Sequence, residues 1–348
     1  MKLNEYIGND LNELIEAGMV NEIHHPVANL TMYNYSKECQ ANACWCDTTK
    51  KCRGLIVDGD NNIVARPMAK FFNYEEYVQW DTMDMIPTEE RFEVTEKLDG
   101  SLGILYWVDD TPFITTKGSF ESEQGAHATA LLHDRYKNIW NRLDRNLTYM
   151  FEIIYPGDPH IVRYNDVDDI FLIAVQDTNI PGKEIPVEDY ADIFNVVPKY
   201  PDVEDWTKVR ENIDGTNREG FVIKFESGFR LKLKYEEYVK LHYYKHAITP
   251  KKILEYVIED RLEELEEVWN KFDEESQIYY NEMVQGLNEK FEAIYDEFMS
   301  VHKTGFETRK DAAMYYQTCK YPSLHFAKEF SSEEVLDKLI WKMVKNNL

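Results

Sequence analysis

Short apolar or alternating runs recur over the first two thirds of the chain, at 54–57, 92–95, 102–107, 149–154, 170–175, 220–225 and 229–234. Each has the length of a strand and is rich in β-branched and aromatic residues. The segment 224–230, with Ser227-Gly228 at its centre, reads as a hairpin turn. Residues 121–145 and 186–195 read as helices between these strands. The N-terminus also reads as helical, because charged and apolar residues interleave there without the apolar core of a signal peptide.

The texture changes near His246. Thr249-Pro250 is a helix start, with a capping hydroxyl and proline at the first helical position. Val284, Leu287, Phe291, Ile294 and Phe298 fall on one helix face. Thr308…Asp311 and Ser331…Glu334 resemble capping boxes. The pattern predicts a mixed α/β domain over 1–245 and a small all-helical domain over 246–348.

Length agrees: 348 residues suggest about two domains at ~150 residues each. With 43% hydrophobic residues a sizeable core is available. No run of about 18 apolar residues exists, so no membrane partner and a cytoplasmic location are expected. The net charge of −25 confines any phosphate site to a local basic cluster inside an acidic shell. Five cysteines are too few for a disulfide scaffold. Four of them, Cys39, Cys44, Cys46 and Cys52, lie close together but lack paired zinc-ligand spacing, and are expected as reduced thiols. His24 and His25 read as a surface pair, and the acidic run 259–275 as a solvated face.

The segment Glu96-Lys97-Leu98-Asp99-Gly100-Ser101 sits between two strand-like runs. A lysine there is a nucleophile if nearby cations and burial keep its amine neutral. Alone, the segment is equally an ordinary strand-end turn. Three further elements follow in order. Phe151-Glu152 puts a carboxylate in a buried-looking strand. Glu219-Gly220-Phe221-Val222 opens another strand with an exposed carboxylate. Lys232 and Lys234 share one strand face, which is costly unless an anion lies between them.

The order KxDG, FE, EGFV and LKLK resembles the motifs of covalent nucleotidyltransferases, the ligases and RNA capping enzymes. Upstream, Cys52-Arg53-Gly54 and Arg66-Pro67-Met68-Ala69-Lys70-Phe71 are similar to the bacteriophage T4 RNA ligase 1 family, as are Thr116-Lys117-Gly118 and the segment from Lys232 to Tyr238 and His242. The similarity covers roughly residues 30–245. It implies an α+β fold: a nucleotidyltransferase (ATP-grasp-like) domain of antiparallel sheets with flanking helices, then the all-α domain.

The resemblance also implies an ATP-dependent RNA ligase. Lys97 attacks the α-phosphate of ATP, AMP passes to an RNA 5′-phosphate, and a 3′-hydroxyl then displaces it. It implies Mg²⁺, replaceable by Mn²⁺, and RNA with 5′-phosphate and 3′-hydroxyl ends. Nicked tRNA is the expected repair substrate, the chain acting as a monomer, in the host cytoplasm if viral. Roles carry over residue by residue. Lys97, Asp99 and Glu219 are catalytic, with Asp99 expected near the metal or a hydroxyl. Glu152 binds the ribose, and Glu152 and Glu219 hold the metal. Arg53, Lys70 and Lys117 engage the triphosphate. Lys232 and Lys234 hold the α-phosphate and keep the Lys97 amine partly neutral. Gly100 and Gly220 give the nucleotide room. Phe171 is a candidate to stack on adenine, with a core position equally open, and Tyr238 has no assigned role.

Two other readings stay open. A DNA ligase or GTP-using capping guanylyltransferase shares the lysine motif but usually continues into a small β-barrel, where this chain continues into helices. A non-catalytic nucleotide-sensing or RNA-binding module need not retain the full set of charged residues.

Overall fold

The structure is a computed structural model, and it describes residues 1–158, 160–272 and 274–347. Asp273, in the acidic run, lies outside them. Two compact units emerge, Met1–Val239 and Lys240–Leu348, so the division falls inside helix Glu236–Ala247.

The first unit carries three sheets. One is β1 (Val20–His24), β2 (Leu30–Tyr35), β3 (Arg53–Asp58) and β4 (Ile63–Ala65), in that order. The next two interleave along the chain, through β5 (Phe72–Asn73), β6 (Phe92–Lys97), β7 (Ser101–Val108), β8 (Thr111–Thr116), β9 (Leu147–Ile154), β10 (Asp169–Asp177), β11 (Glu184–Ile185), β12 (Asn195–Val196), β13 (Gly220–Phe225) and β14 (Arg230–Lys234). They have the orders β11-β10-β9-β7-β8, with β12 on β10, and β5-β14-β13-β6. Pairing is antiparallel except for β10 with β12 and β14 with β5.

All seven strand-like runs are strands. The hairpin turn is present, with Gly228 at φ +87° between β13 and β14. The N-terminal helix is split at Gly8–Asp10 into Leu3–Tyr6 and Leu11–Glu16. The stretch 121–145 forms helix Glu123–Asp134 followed by a 3-10 turn. The stretch 186–195 is not a helix beyond a 3-10 turn at Val187–Tyr190, because its apolar residues pack down onto β10 rather than along one helix face.

The alternation of β13 and β14 positions the site. Phe221, Ile223, Phe225, Leu231 and Leu233 point into one core. The opposite face must therefore carry Val222, Lys224, Arg230, Lys232 and Lys234. Lys97 and Lys234 both lie opposite Gly220 in register. On the other large sheet, Phe151 and Ile153 enter the largest core and leave Glu152 on the reverse face.

Among its described residues the second unit is built of helices, including Pro250–Ile258, Glu274–Val301, Pro322–Phe330 and Glu333–Asn346. Thr249 caps the first, accepting from the Lys252 N–H at 3.2 Å. Thr308 caps Arg309–Tyr316 as its box predicts. The later cap is Ser332 rather than Ser331, since Ser332 Oγ accepts from the Val335 N–H. Glu263, Glu264, Glu266 and Glu267 are exposed while Leu265 and Val268 are buried. Among the described residues, no helix is long and apolar enough to cross a membrane.

Candidate active site

A cavity of about 1100 Å³ in the first unit is lined by both large sheets. Lys97, Lys232 and Arg53 reach it, with Glu152, Lys117 and Gly100. Lys97 ends β6. Its Nζ donates to Glu219 Oε2 at 2.7 Å, and Lys234 Nζ donates to Glu219 Oε1 at 2.8 Å. Glu219, expected to be exposed, is instead 2% exposed, because both its oxygens are taken by lysines inside the unit. One buried carboxylate is thus shared between two ammoniums, an arrangement that compensates its loss of water.

This changes the expected state of Lys97. Burial works against its charge, but the carboxylates of Glu219, Glu152 and Asp99 outweigh burial and hold the amine above the ordinary lysine pKa. The expectation that Lys232 and Lys234 keep Lys97 partly neutral is corrected for the free protein, because the carboxylates stand closer. The depressed amine is Lys232. Burial first, then Lys70, Lys97, Arg53 and Lys234, pushes it well below the usual range. Lys232 has no ion-pair partner among the described residues, and its Nζ lies over the Phe71 ring at 4.8 Å. Arg53 lies over the same ring at 5.8 Å, donates to the Met68 carbonyl at 3.2 Å and is also held by the Tyr35 hydroxyl. This side of the cavity is a cluster of cations without a matching anion.

Glu152 accepts from the Gly100 N–H at 3.1 Å. Burial raises its pKa to about 7, with Lys97 opposing and Glu219 and Asp99 reinforcing the rise. Lys117 Nζ donates to the Tyr35 hydroxyl at 2.9 Å. Burial raises the Tyr35 phenol, yet Lys117, Lys70 and Arg53 together bring it below its ordinary value.

Other placements differ from the reading of the motifs. Asp99 is 7% exposed and does not line the cavity. Its Oδ2 accepts from the Ile161 and Val162 N–H groups at 2.8 and 3.0 Å, and its Oδ1 from the Tyr238 hydroxyl at 2.8 Å. It ties the nucleophile loop to residues far along the chain, which also gives Tyr238 a partner. Gly100 and Gly220 are needed against protein rather than nucleotide. A Cβ at Gly100 would stand 2.6 Å from the Ile153 carbonyl, and one at Gly220, where φ is +148°, 2.0 Å from the Leu233 carbonyl. Phe171 packs against the large core and does not line the cavity. Lys70 lines an adjoining cavity instead.

Among the described residues no group of three His, Cys, Asp or Glu is arranged to hold a metal ion. Glu152 and Glu219 are not part of such a group, and both Glu219 oxygens already accept from lysines. A divalent ion fits here only if phosphate oxygens and water supply most of its ligands, the usual state of Mg²⁺. The cysteines serve locally. Cys46 caps helix Asp47–Lys51, and burial pushes the Cys52 thiol up to about 12.

Sequence reasoning missed Tyr35, because β1 and β2 have no clean alternation. It missed Arg230, whose guanidinium meets Glu184 Oε2 at 2.5 Å on the cavity wall. The period-2 rule that paired Lys232 with Lys234 would have found Arg230 as well. It also missed Asp158, whose side chain accepts from Ser101 Oγ at 2.8 Å and Gln124 Nε2 at 3.2 Å.

Comparison with known proteins bears on this geometry. The chain is 24% identical, over 401 aligned positions, to an RNA ligase of Rhodothermus phage RM378, covering 92% of this chain and 89% of that one. A putative ATP-dependent DNA ligase from Aquifex aeolicus is similar in fold, with a TM-score of 0.50, 18% identity and coverage of 89% and 88%. An RNA ligase of Naegleria gruberi solved with AMP and Mn matches at a TM-score of 0.39 and 21% identity, over 49% of this chain; the match spans 56% of that chain. The family model for RNA ligases of the T4 RNA ligase 1 type matches residues 51–239, which hold every residue of the cavity discussed above except Tyr35. The chain belongs to the T4 RNA ligase 1 family of ATP-dependent RNA ligases.

Proposed function

We propose that the chain joins RNA 5′-phosphate and 3′-hydroxyl ends through lysyl-AMP on Lys97 and a 5′-adenylated RNA. The observation that carries this reading is Lys97 Nζ held 2.7 Å from Glu219 beside a cavity where two cations, Lys232 and Arg53, have no ion-pair partner among the described residues. Polyphosphate supplies what those cations lack.

In the first step the Lys97 nitrogen bonds to the α-phosphorus as the bond to pyrophosphate breaks. The ammonium must first lose a proton, and Glu219 lies within hydrogen-bond reach of it. Lys234 stays on Glu219 and steadies the carboxylate when Lys97 gives up its charge. Lys232 and Arg53 neutralise charge on the transferring phosphate. Glu152 offers an acceptor to the ribose. Glu152 and Glu219 would help hold a divalent ion, Mg²⁺ or Mn²⁺, which would supply further charge neutralisation to the phosphates.

The reading separates the steps. Lys97→Ala is expected to seal RNA already carrying a 5′-adenylate while forming no adduct with ATP. Failure to seal such RNA, with folding intact, would count against the assignment of Lys97 to the first step alone.

We also propose that the helical residues 246–348 direct the chain, as a cytoplasmic monomer, to tRNA nicked in its anticodon loop. Family association and the separate helical core support this. Removing 246–348 should leave adenylation but weaken joining of nicked tRNA more than of linear RNA, and equal losses would defeat the idea.

A further inference from the structure

A second cavity of about 790 Å³ adjoins the first in the same unit, sharing Phe71 and Arg230 in its wall. Trp45, Phe72, Trp80 and Phe229 line part of it, as do the carboxylates of Asp47 and Glu184, which are paired with Lys51 and Arg230. Trp45 and Trp80 pack edge-on against Phe72, with centroids 5.5 and 5.0 Å away. Trp80 keeps 38% of its surface exposed. Lys50 and Lys70 also line this cavity. The Lys70 N–H donates to the Lys50 carbonyl at 2.8 Å, and Lys70 Nζ lies 5.2 Å from the centres of both the Trp45 and Phe72 rings. Neither lysine has a carboxylate partner among the described residues, in a chain with 64 acidic side chains.

Stereochemistry says from which side the RNA must enter. Pyrophosphate leaves in line, on the side of the α-phosphorus opposite the Lys97 nitrogen. The second displacement breaks the phosphorus–nitrogen bond to that same lysine. Its nucleophile therefore enters from the side pyrophosphate left. There an RNA 5′-phosphate oxygen forms the new phosphorus–oxygen bond, and the Lys97 nitrogen departs, taking up protons from solvent to return to the ammonium. The nucleotide attached to that 5′-phosphate lies one step further out. Aromatic faces beside unpaired ammoniums suit a base and its phosphate.

We propose that the cavity walled by Trp45, Phe72 and Trp80 receives the 5′-terminal nucleotide of the RNA strand that accepts AMP. The inference rests on the ligase reading above and adds a substrate subsite to it.

The test uses the full chain, loaded with AMP from ATP and Mg²⁺ and freed of nucleotide. It is mixed with 5′-phosphorylated RNA, or with the same strand made abasic at its first nucleotide, and transfer of AMP is timed. Trp80→Ala should slow transfer about tenfold, as should the abasic strand, in line with one stacked base. Combined, the two changes should cost no more than either alone, and Trp80→Phe should recover most of the rate. Lysyl-AMP formation without RNA should be unchanged in Trp80→Ala. Transfer at the unaltered rate, an abasic penalty undiminished in Trp80→Ala, or loss of lysyl-AMP formation would each overturn the proposal. If the unaltered chain transfers AMP to no RNA, the ligase reading falls and takes this inference with it.

Discussion

Lys232 and Lys234 stand two residues apart on the same face of β14, yet they occupy opposite electrostatic regimes. Around Glu219, Lys234 and Lys97 share one buried carboxylate, and the protein itself supplies the counter-charge. Around Phe71, Lys232 and Arg53 have aromatic faces and a carbonyl but no carboxylate. The first region is complete without ligand, and it holds the nucleophile in place and charged. The second is complete only when an anion arrives. Within one hairpin, the paired cation positions and the unpaired cation recruits.

The comparison is broken most directly through activity. Lys232→Met and Lys234→Met should each slow lysyl-AMP formation by on the order of a hundredfold or more, the first by removing positive charge from the transferring phosphate and the second by leaving Glu219 without the ammonium that steadies it. Single-turnover adenylation followed by intact mass measures this. Near-normal rates in Lys232→Met would mean that its cavity face does not bind phosphate.

Glu152, between the two regions, sharpens the picture through pH. Its carboxyl sits at about 7 in the folded chain against an ordinary 4.5. Between those values the folded state keeps a proton that the unfolded state has released, so this group makes stability fall as pH rises through the window. Glu152→Gln removes the effect. Thermal melts of the two proteins should therefore diverge from pH 4.5 to 7, with the variant gaining relative to the unaltered chain. Parallel curves would contradict the placement of Glu152.

Stability without ligand should move in opposite directions for the two lysines. Lys232→Met relieves a buried cation and should stabilise the free chain by about 1–2 kcal/mol. Lys234→Met strips Glu219 of one partner and should destabilise it by about 2 kcal/mol. Chemical denaturation tests the signs, and the same sign for both would remove the distinction. The smallest effect is expected at Tyr238→Phe, which loses the 2.8 Å bond to Asp99 and should cost about 1 kcal/mol with adenylation little changed.

Strands were the most legible part of the fold. The runs at 220–225 and 229–234 alternate cleanly because one face is core and the other lines the cavity. That same alternation brought Lys232 and Lys234 to one face, and the motif order brought Lys97 and Glu152 to one cavity, with Glu219 bonded to the Lys97 amine. What alternation does not carry is which charge meets which. The amine state of Lys97 depends on Glu219, 122 residues later in the chain and 2.7 Å away in space. Asp99 read as a site residue because the KxDG motif carries it, but its partners at Ile161, Val162 and Tyr238 are visible only after folding. Short strands such as β5 and β12 were missed because two residues show no periodicity.

The most direct test of the account is the intact mass of the full chain after incubation with ATP and Mg²⁺, with GTP in parallel and Lys97→Ala as control. A gain of one AMP from ATP alone, absent in Lys97→Ala, is the predicted result. An unmodified mass in a preparation not already adenylated, a GMP adduct, or an AMP adduct that survives Lys97→Ala would contradict it.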